Sequence, residues 1–458
     1  MMPERESHLH EILQQKSNLV AFLIEDGMAI EPGNIYVSPP AQFVSIAGRT
    51  MHLRKKDKEN NKYYIDTFFR SLAEDRQEQS ICVILSGTGT DGTLGLKKVK
   101  EMGGITVAQD EDDAEYPDMP MSAIETGMVD NILPAKQIAE LLQGIVHHPY
   151  LEVTEEAVIP SEEFDDYFDE IINIVHKETG QDFSEYKENT IRRRIERRMA
   201  VHQLTDIEKY VEILKSDRDE VNALFKDLLI NVTNFFREPE AFEALKHEAI
   251  PRLIHDREPS STLRIWVPGC STGEEAYSIA MIFMEAMEML NKHFSLQVFA
   301  TDLDQDAIRY ARRGVYPESI VTDLTEDRLH RFFEKGNKTY IVKKSLRDKI
   351  IFAVQNIIKD PPFSHLDLVS CRNLLIYMNT DLQGKVLPLF HYVLNSSGIL
   401  FLGSSENVGR HSEMFDPLDK EWRIYTRSNQ GTHRHDDYPR TPFFGIPGRI
   451  DKGTAAGG

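Results

Sequence analysis

The chain has 458 residues, 41% of them hydrophobic and 28% charged, which is too long for one ordinary core and too apolar for wholesale disorder. Lys and Arg number 53 against 74 Asp and Glu, and the resulting net charge of −21 argues against a nucleic-acid binder held by phosphate contacts. No apolar run approaches the roughly 20 residues that cross a bilayer and no signal-peptide pattern opens the chain, so a cytoplasmic protein without direct membrane insertion is expected.

Residues 1–148 read as alternating strand and helix. Apolar, β-rich runs occur at 34–38, 81–85 and 104–108, and a helical stretch at 93–102 is stopped by Gly103 and Gly104. Strand, helix and strand in that order form a βαβ unit and predict parallel pairing. Residues 149–163 are acidic, aperiodic and contain two prolines, the pattern of a linker. Apolar residues at helical spacing (Phe164, Phe168, Ile171, Ile172, Val175) then begin an all-helical stretch over 164–228. The α/β pattern returns in 229–427, with strands expected at 263–267, 296–300, 366–369 and 398–402. The Gly-, Pro- and His-rich tail, 428–458, is expected to be disordered. The three cysteines, Cys82, Cys270 and Cys371, form no CxxC pair, so free thiols and no metal site are expected.

Two glycine loops carry the chemistry. The first, Gly87-Thr-Gly-Thr-Asp-Gly92, follows a strand, opens a helix and has an acidic residue, Asp110, after the next strand. On pattern alone this fits a dinucleotide fingerprint, which would make the protein an NAD-binding oxidoreductase, or else a ligand-free turn. Its surroundings (Ser86 to Gly92, Ala114 to Pro120, Ser122 to Gly127 and Glu31 to Pro40) resemble the C-terminal half of a CheB-type protein-glutamate methylesterase. In that family the loop aspartate orients the histidine of a Ser-His-Asp triad, a role that maps to Asp91. The resemblance implies a partial domain without its catalytic serine and histidine, inactive as an esterase and dispensable for cofactor affinity.

The second loop lies in Ile265-Trp-Val-Pro-Gly-Cys-Ser-Thr-Gly-Glu-Glu-Ala-Tyr-Ser278. A strand runs into Gly269 and Gly273, and the helix that follows opens on Glu274 and Glu275. Two carboxylates at a helix N-terminus repel phosphate, so a cationic nucleotide-like ligand fits better than a dinucleotide. S-adenosylmethionine is such a ligand, and Asp302, at the end of the next strand, stands where a carboxylate would meet its ribose diol.

Asn231-Val-Thr-Asn-Phe-Phe-Arg-Glu-Pro239 and Ser370-Cys-Arg-Asn-Leu-Leu-Ile-Tyr377 resemble signature segments of CheR-type protein-glutamate O-methyltransferases, as do Gly269 to Ser278, Ala300 to Asp304 and Ser404 to Asn407. The resemblance implies a helical subdomain followed by a seven-stranded Rossmann-like methyltransferase domain with a late antiparallel strand near 422–425. It implies a cofactor, S-adenosyl-L-methionine, with product S-adenosyl-L-homocysteine. The implied cofactor residues are Asn231, Thr233, Arg237, Gly269, Glu274, Glu275, Asp302, Asn356, Ile357, Arg372 and Asn373. Arg237, Arg372 and Tyr377 would face the transferred methyl group. The implied partner is a methyl-accepting chemoreceptor helix or another signalling protein carrying substrate glutamates, with response regulators or kinases as further partners and membrane receptor arrays as the place of recruitment.

The segment 187–198 holds five arginines in seven residues, 192–198, on an otherwise acidic chain. In the family this helix lies over the cleft, so Arg193, Arg194, Arg197 and Arg198 are expected to bind an acidic helical substrate rather than DNA. Residues 333–352 leave room for little beyond a short hairpin around Tyr340, where receptor-tethered relatives carry a larger β-subdomain. A module that binds S-adenosylmethionine or its product but transfers slowly is the alternative.

Overall fold

The computed structural model describes residues 8–55, 63–151, 161–255, 257–258 and 261–429. The expected βαβ unit forms around the first glycine loop. Ile81–Ile84 pairs in parallel with Ile105–Gln109, which pairs in parallel with Asn131–Leu133, and the helix Thr93–Glu101 makes the crossover. The helix Tyr64–Arg76 packs on that crossover, burying Phe69 and Ala73 against Leu96, Val99, Cys82 and Ile84. Two small pairs precede it: Val20–Leu23 parallel to Asn34–Val37, and the hairpin of Gln42–Ala47 with Thr50–Lys55.

The stretch read as a linker is packed at its start. Pro149–Leu151 forms a helical turn in which Tyr150 is buried and donates to the Gly103 carbonyl at 2.8 Å. The first helix beyond it is Ser161–Thr179, three residues earlier than the periodicity placed it; residues 152–160 of that call lie outside the described residues, as do residues 430–458 of the tail. Three further helices, Glu188–Val201, Ile207–Ser216 and Arg218–Leu229, enclose a core of Phe164, Ile171, Ile195, Met199, Tyr210 and Leu224. Asp206 and Asp217 start the last two by accepting backbone N–H bonds in their first turns.

The methyltransferase-like region is built on seven strands. Their spatial order is Ile350–Val354, Ser295–Asp302, Thr262–Pro268, Leu366–Cys371, Leu394–Leu402, Ile424–Arg427 and Phe415–Asp419. The first five run parallel, Ile424–Arg427 runs antiparallel to them, and Phe415–Asp419 pairs antiparallel with Ile424–Arg427 and so shares the direction of the five. Parallel strands are buried on both faces, and their continuous apolar runs reflect this: Ile265, Trp266 and Val267 are fully buried. One face packs against Glu274–Met289 and the other against Thr380–Val393. The expected hairpin, Phe333–Lys335 with Thr339–Val342, gains a third short strand from Val315–Pro317. No helix among the described residues is long and apolar enough to cross a membrane.

Candidate cofactor and methyl-transfer site

The strand order reverses between Thr262–Pro268 and Leu366–Cys371, and a crevice opens beyond the carboxyl ends of those two strands. On one side the chain turns through Gly269, Ser271 and Gly273, all in the left-handed region. Gly273 has φ +93°, and a Cβ there would lie 2.7 Å from that of Ala311, so only glycine fits. Asp302 ties this turn to the adjacent strand: Oδ2 accepts from Ser271 N at 2.8 Å and Oδ1 from Asp304 N at 2.9 Å. Burial pushes its carboxyl up to about 6 against the pull of those amides.

The crevice brings together most of the residues expected of it. Asn231, Thr233, Arg237, Gly269, Glu275, Asp302, Ile357, Arg372, Asn373 and Tyr377 line one pocket, joined by Tyr186, Ser271 and Gln355. Glu275 accepts from Ser370 Oγ at 2.7 Å, and burial pushes its carboxyl up to about 7 although the Arg372 charge draws it down. The Arg372 side chain is wholly buried between the rings of Phe242 and Phe401, 4.9 and 4.8 Å from their centroids. Its Nη2 donates to Glu238 at 2.5 Å, whereas Nε and Nη1 have no partner among the described residues.

Two expected residues are elsewhere. Successive helical residues lie about 100° apart, so Glu275 faces the pocket and Glu274 cannot. Glu274 accepts instead from Thr272 Oγ1 at 2.6 Å and from Lys97 of the N-terminal region at 3.1 Å. Asn356 closes a turn, accepting from Ile358 N and Lys359 N, and donates to Gln181 at 2.9 Å. Glu406 was missed as an organiser. Its carboxylate accepts the backbone N–H groups of Gly403 and of Asn373 to Ile376, and so shapes the loop that presents Asn373. The segment around it was conspicuous, but a side chain that binds only backbone leaves no pairing pattern in the sequence. Tyr186 was missed because a lone tyrosine between two helices carries no signal.

The basic helix does different work from that expected. Arg197 is wholly buried, pairing with Asp130 and with Asp227, the latter at 2.5 Å, and donating to the Gly104 carbonyl. Arg198 pairs with Glu220 at 2.5 Å. Arg193 pairs with Glu78, and Arg194 donates to the carbonyls of Lys100 and Glu101. An incoming substrate therefore meets neither Arg197 nor Arg198, because this helix holds the N-terminal domain in place. The dinucleotide reading fails for a related reason. The Gly95 amide, in the first turn of the helix after the loop, is already taken by the Asp66 carboxylate at 2.7 Å, which puts an anion where a phosphate would need a free donor. The last loop glycine, Gly92, serves close packing, since a Cβ there would lie 2.9 Å from Ile65 Cγ2. Asp91 caps the helix Tyr64–Arg76, accepting from Ile65 N and Asp66 N at 3.0 and 2.9 Å. No cluster that could hold a metal occurs among the described residues.

The pocket fits S-adenosylmethionine by its donor set. Four buried polar atoms on its walls lack partners: Arg372 Nε and Nη1, Ser271 Oγ and Gln355 Oε1. Each of the two unpaired guanidinium nitrogens can donate to one oxygen of a ligand, and the buried Asp302 and Glu275 suit a diol and a cationic centre. Binding of this kind requires the carboxylates ionised. Affinity for S-adenosylhomocysteine is therefore expected to be level at high pH and to fall as pH drops through about 7 and about 6, the values of Glu275 and Asp302. The fall should approach about tenfold per pH unit for each proton taken up. Calorimetry in buffers of differing ionisation enthalpy should show proton release on binding, and a pH-independent affinity would contradict it.

Comparison with known proteins agrees with this geometry. The profile of the CheR methyltransferase SAM-binding domain matches residues 231–424, that of the CheR all-alpha domain residues 166–229, and that of the CheB methylesterase residues 1–142. A 104.1 kDa protein of Rhodobacter capsulatus is 36% identical over 440 residues, 92% of this chain but 46% of that protein, so the chain spans under half of its length. The chemotaxis protein methyltransferase of Escherichia coli is 30% identical over 262 residues, 55% of this chain and 87% of its own. That of Listeria monocytogenes is 30% identical over 235 residues, 51% of this chain and 87% of its own.

Proposed function

The chain belongs to the CheR methyltransferase family, with a CheB-like domain ahead of the S-adenosylmethionine-binding domain, and from that premise we propose that it forms methyl esters on glutamate side chains of a signalling protein. The acceptor class is the methyl-accepting chemoreceptor helix or its counterpart in a related cytoplasmic pathway. The single observation that carries this reading is the buried Arg372, with Nε and Nη1 unpaired, in one pocket with Asp302 and Glu275.

When bound, S-adenosylmethionine supplies an electrophilic methyl group on a sulfonium. The protein's residues need no general base, since a glutamate with a reference pKa of about 4.3 arrives ionised. Their work is positioning and exclusion of water. Asp302 and Glu275 hold the cofactor end, while Arg372 and Arg237 fix carboxylates by their planar donors. Phe242 and Phe401, flanking Arg372, keep water from that guanidinium. Tyr377, its phenol pushed up chiefly by burial, stays protonated and able to donate.

Incubation with methyl-labelled cofactor and a receptor cytoplasmic fragment tests the proposal. Label released as methanol by alkali, and lost when the acceptor glutamates become alanine, is the expected result. Alkali-stable label would overturn it. The alternative of a slow, cofactor-binding regulatory module is favoured by one contact, that of Glu101 with Arg237.

A further inference from the structure

Glu101 belongs to the N-terminal domain, in the last turn of Thr93–Glu101, yet its carboxylate rests on a residue of the transfer pocket. Oε1 accepts from Arg237 Nη2 at 2.6 Å and Oε2 from Lys98 Nζ at 2.9 Å, with the side chain only 10% exposed. The helix end is fixed from the other side. Arg194 Nη2 donates to the Glu101 carbonyl at 3.1 Å, and Arg197 donates through Nε and Nη2 to that of Gly104. One turn earlier, Lys97 reaches Glu274 beside the second glycine loop. Tyr377 lies within reach of the same charges: burial raises its phenol most, Glu101 adds to that, and Arg194 and Arg237 oppose it.

A carboxylate held on an arginine that lines the transfer pocket has the chemistry of the acceptor itself. We infer that Glu101 is an intramolecular stand-in for the substrate carboxylate, occupying Arg237 until an acidic acceptor helix displaces it. This rests on the methyl-transfer reading above. An incoming carboxylate finds the Arg237 guanidinium already paired, so its apparent affinity falls by the fraction of molecules in which the contact is open. Opening need not strand a buried charge, because Lys98, three residues earlier on the same helix, remains with Glu101. The docked N-terminal domain thereby becomes a brake on transfer, and a partner that draws it away frees Arg237.

The test uses the full chain saturated with S-adenosylhomocysteine and a fluorescein-labelled, alanine-based helical peptide bearing several glutamates, followed by anisotropy. Glu101→Gln is expected to bind the peptide about tenfold tighter than the wild type. Adding Arg237→Ala should remove the gain. Asp118→Asn, which breaks a different interdomain ion pair with Lys338, should leave affinity at the wild-type level. Equal, weaker or absent peptide binding by Glu101→Gln overturns the inference, and so does an equal gain in Asp118→Asn, which would assign the effect to loosened docking. A methyl ester on Glu101 after incubation with S-adenosylmethionine would also overturn it, by making that residue an acceptor. Calorimetry of S-adenosylhomocysteine on the same samples separates the two levels. Failure of the wild type to bind it would sink the methyl-transfer reading, whereas binding without a gain in Glu101→Gln would sink the stand-in alone.

Discussion

Replacing Arg197 with methionine is expected to destabilise the union of the N-terminal and helical domains by about 3–5 kcal/mol, because a buried ion pair broken on one side leaves uncompensated charge. Arg197 sits among Asp130, Asp227, Lys100, Arg198 and Glu220, every one of them buried or nearly so. Burial alone would raise the Asp130 carboxyl, yet Arg197 and Lys100 hold it far below the usual carboxylate range. Methionine keeps the apolar length of the side chain, so the loss reports charge rather than a cavity. Lys100 still pairs with both aspartates, which places the effect toward the lower end of that range. Hydrogen exchange should quicken in 81–145 and 188–229 while the seven-stranded sheet stays protected. Asp130→Asn in the same chain should restore part of the loss, and additive losses in the double variant would contradict the account. The same network docks the N-terminal domain on the helical one through Asp130 and Lys100.

Arg372→Met should lower kcat/KM for methyl transfer by about 10²–10³, roughly 2.7–4 kcal/mol, the cost of deleting a preorganised donor in a dry site. Methionine fills the slot between Phe242 and Phe401, and Glu238 keeps Ser404 as a hydrogen-bond partner, so the fold should persist. Titration with S-adenosylhomocysteine then assigns the guanidinium. Weakened binding places it on the cofactor, and unchanged binding places it on the acceptor. Arg372→Lys keeps the charge without the planar fork and should recover little. Wild-type turnover in the methionine variant would remove Arg372 from the mechanism.

The sheet was legible because its parallel strands carry short apolar, β-rich runs, such as Ile265 to Val267, that lead into distinctive turns. The pocket was legible for a related reason: loops at the ends of those strands carry Gly269, Asp302 and Arg372, whose chemistry reads directly as ligand binding. What failed was direction. Nothing in the order Glu274-Glu275 tells which carboxylate faces the ligand, and Asn356 could as well close a turn as flank a base. The basic helix misled because its partners are remote in sequence, Asp130 lying 67 residues from Arg197 and Asp227 lying 30. A solvated basic face and a buried clamp have the same composition, and only tertiary packing separates them. Glu101, one acid at the end of a charged helix, carried no mark of its contact 136 residues away.

We assign the second glycine loop and Asp302 to an S-adenosylmethionine site. Calorimetric titration of the full chain with S-adenosylhomocysteine, beside Asp302→Ala and a titration with NAD, tests it most directly. Saturable binding is expected, weakening by about 100-fold or more, at least ~2.7 kcal/mol, in Asp302→Ala, with no heat from NAD. Undiminished binding in the variant, or uptake of NAD in place of S-adenosylhomocysteine, would contradict it.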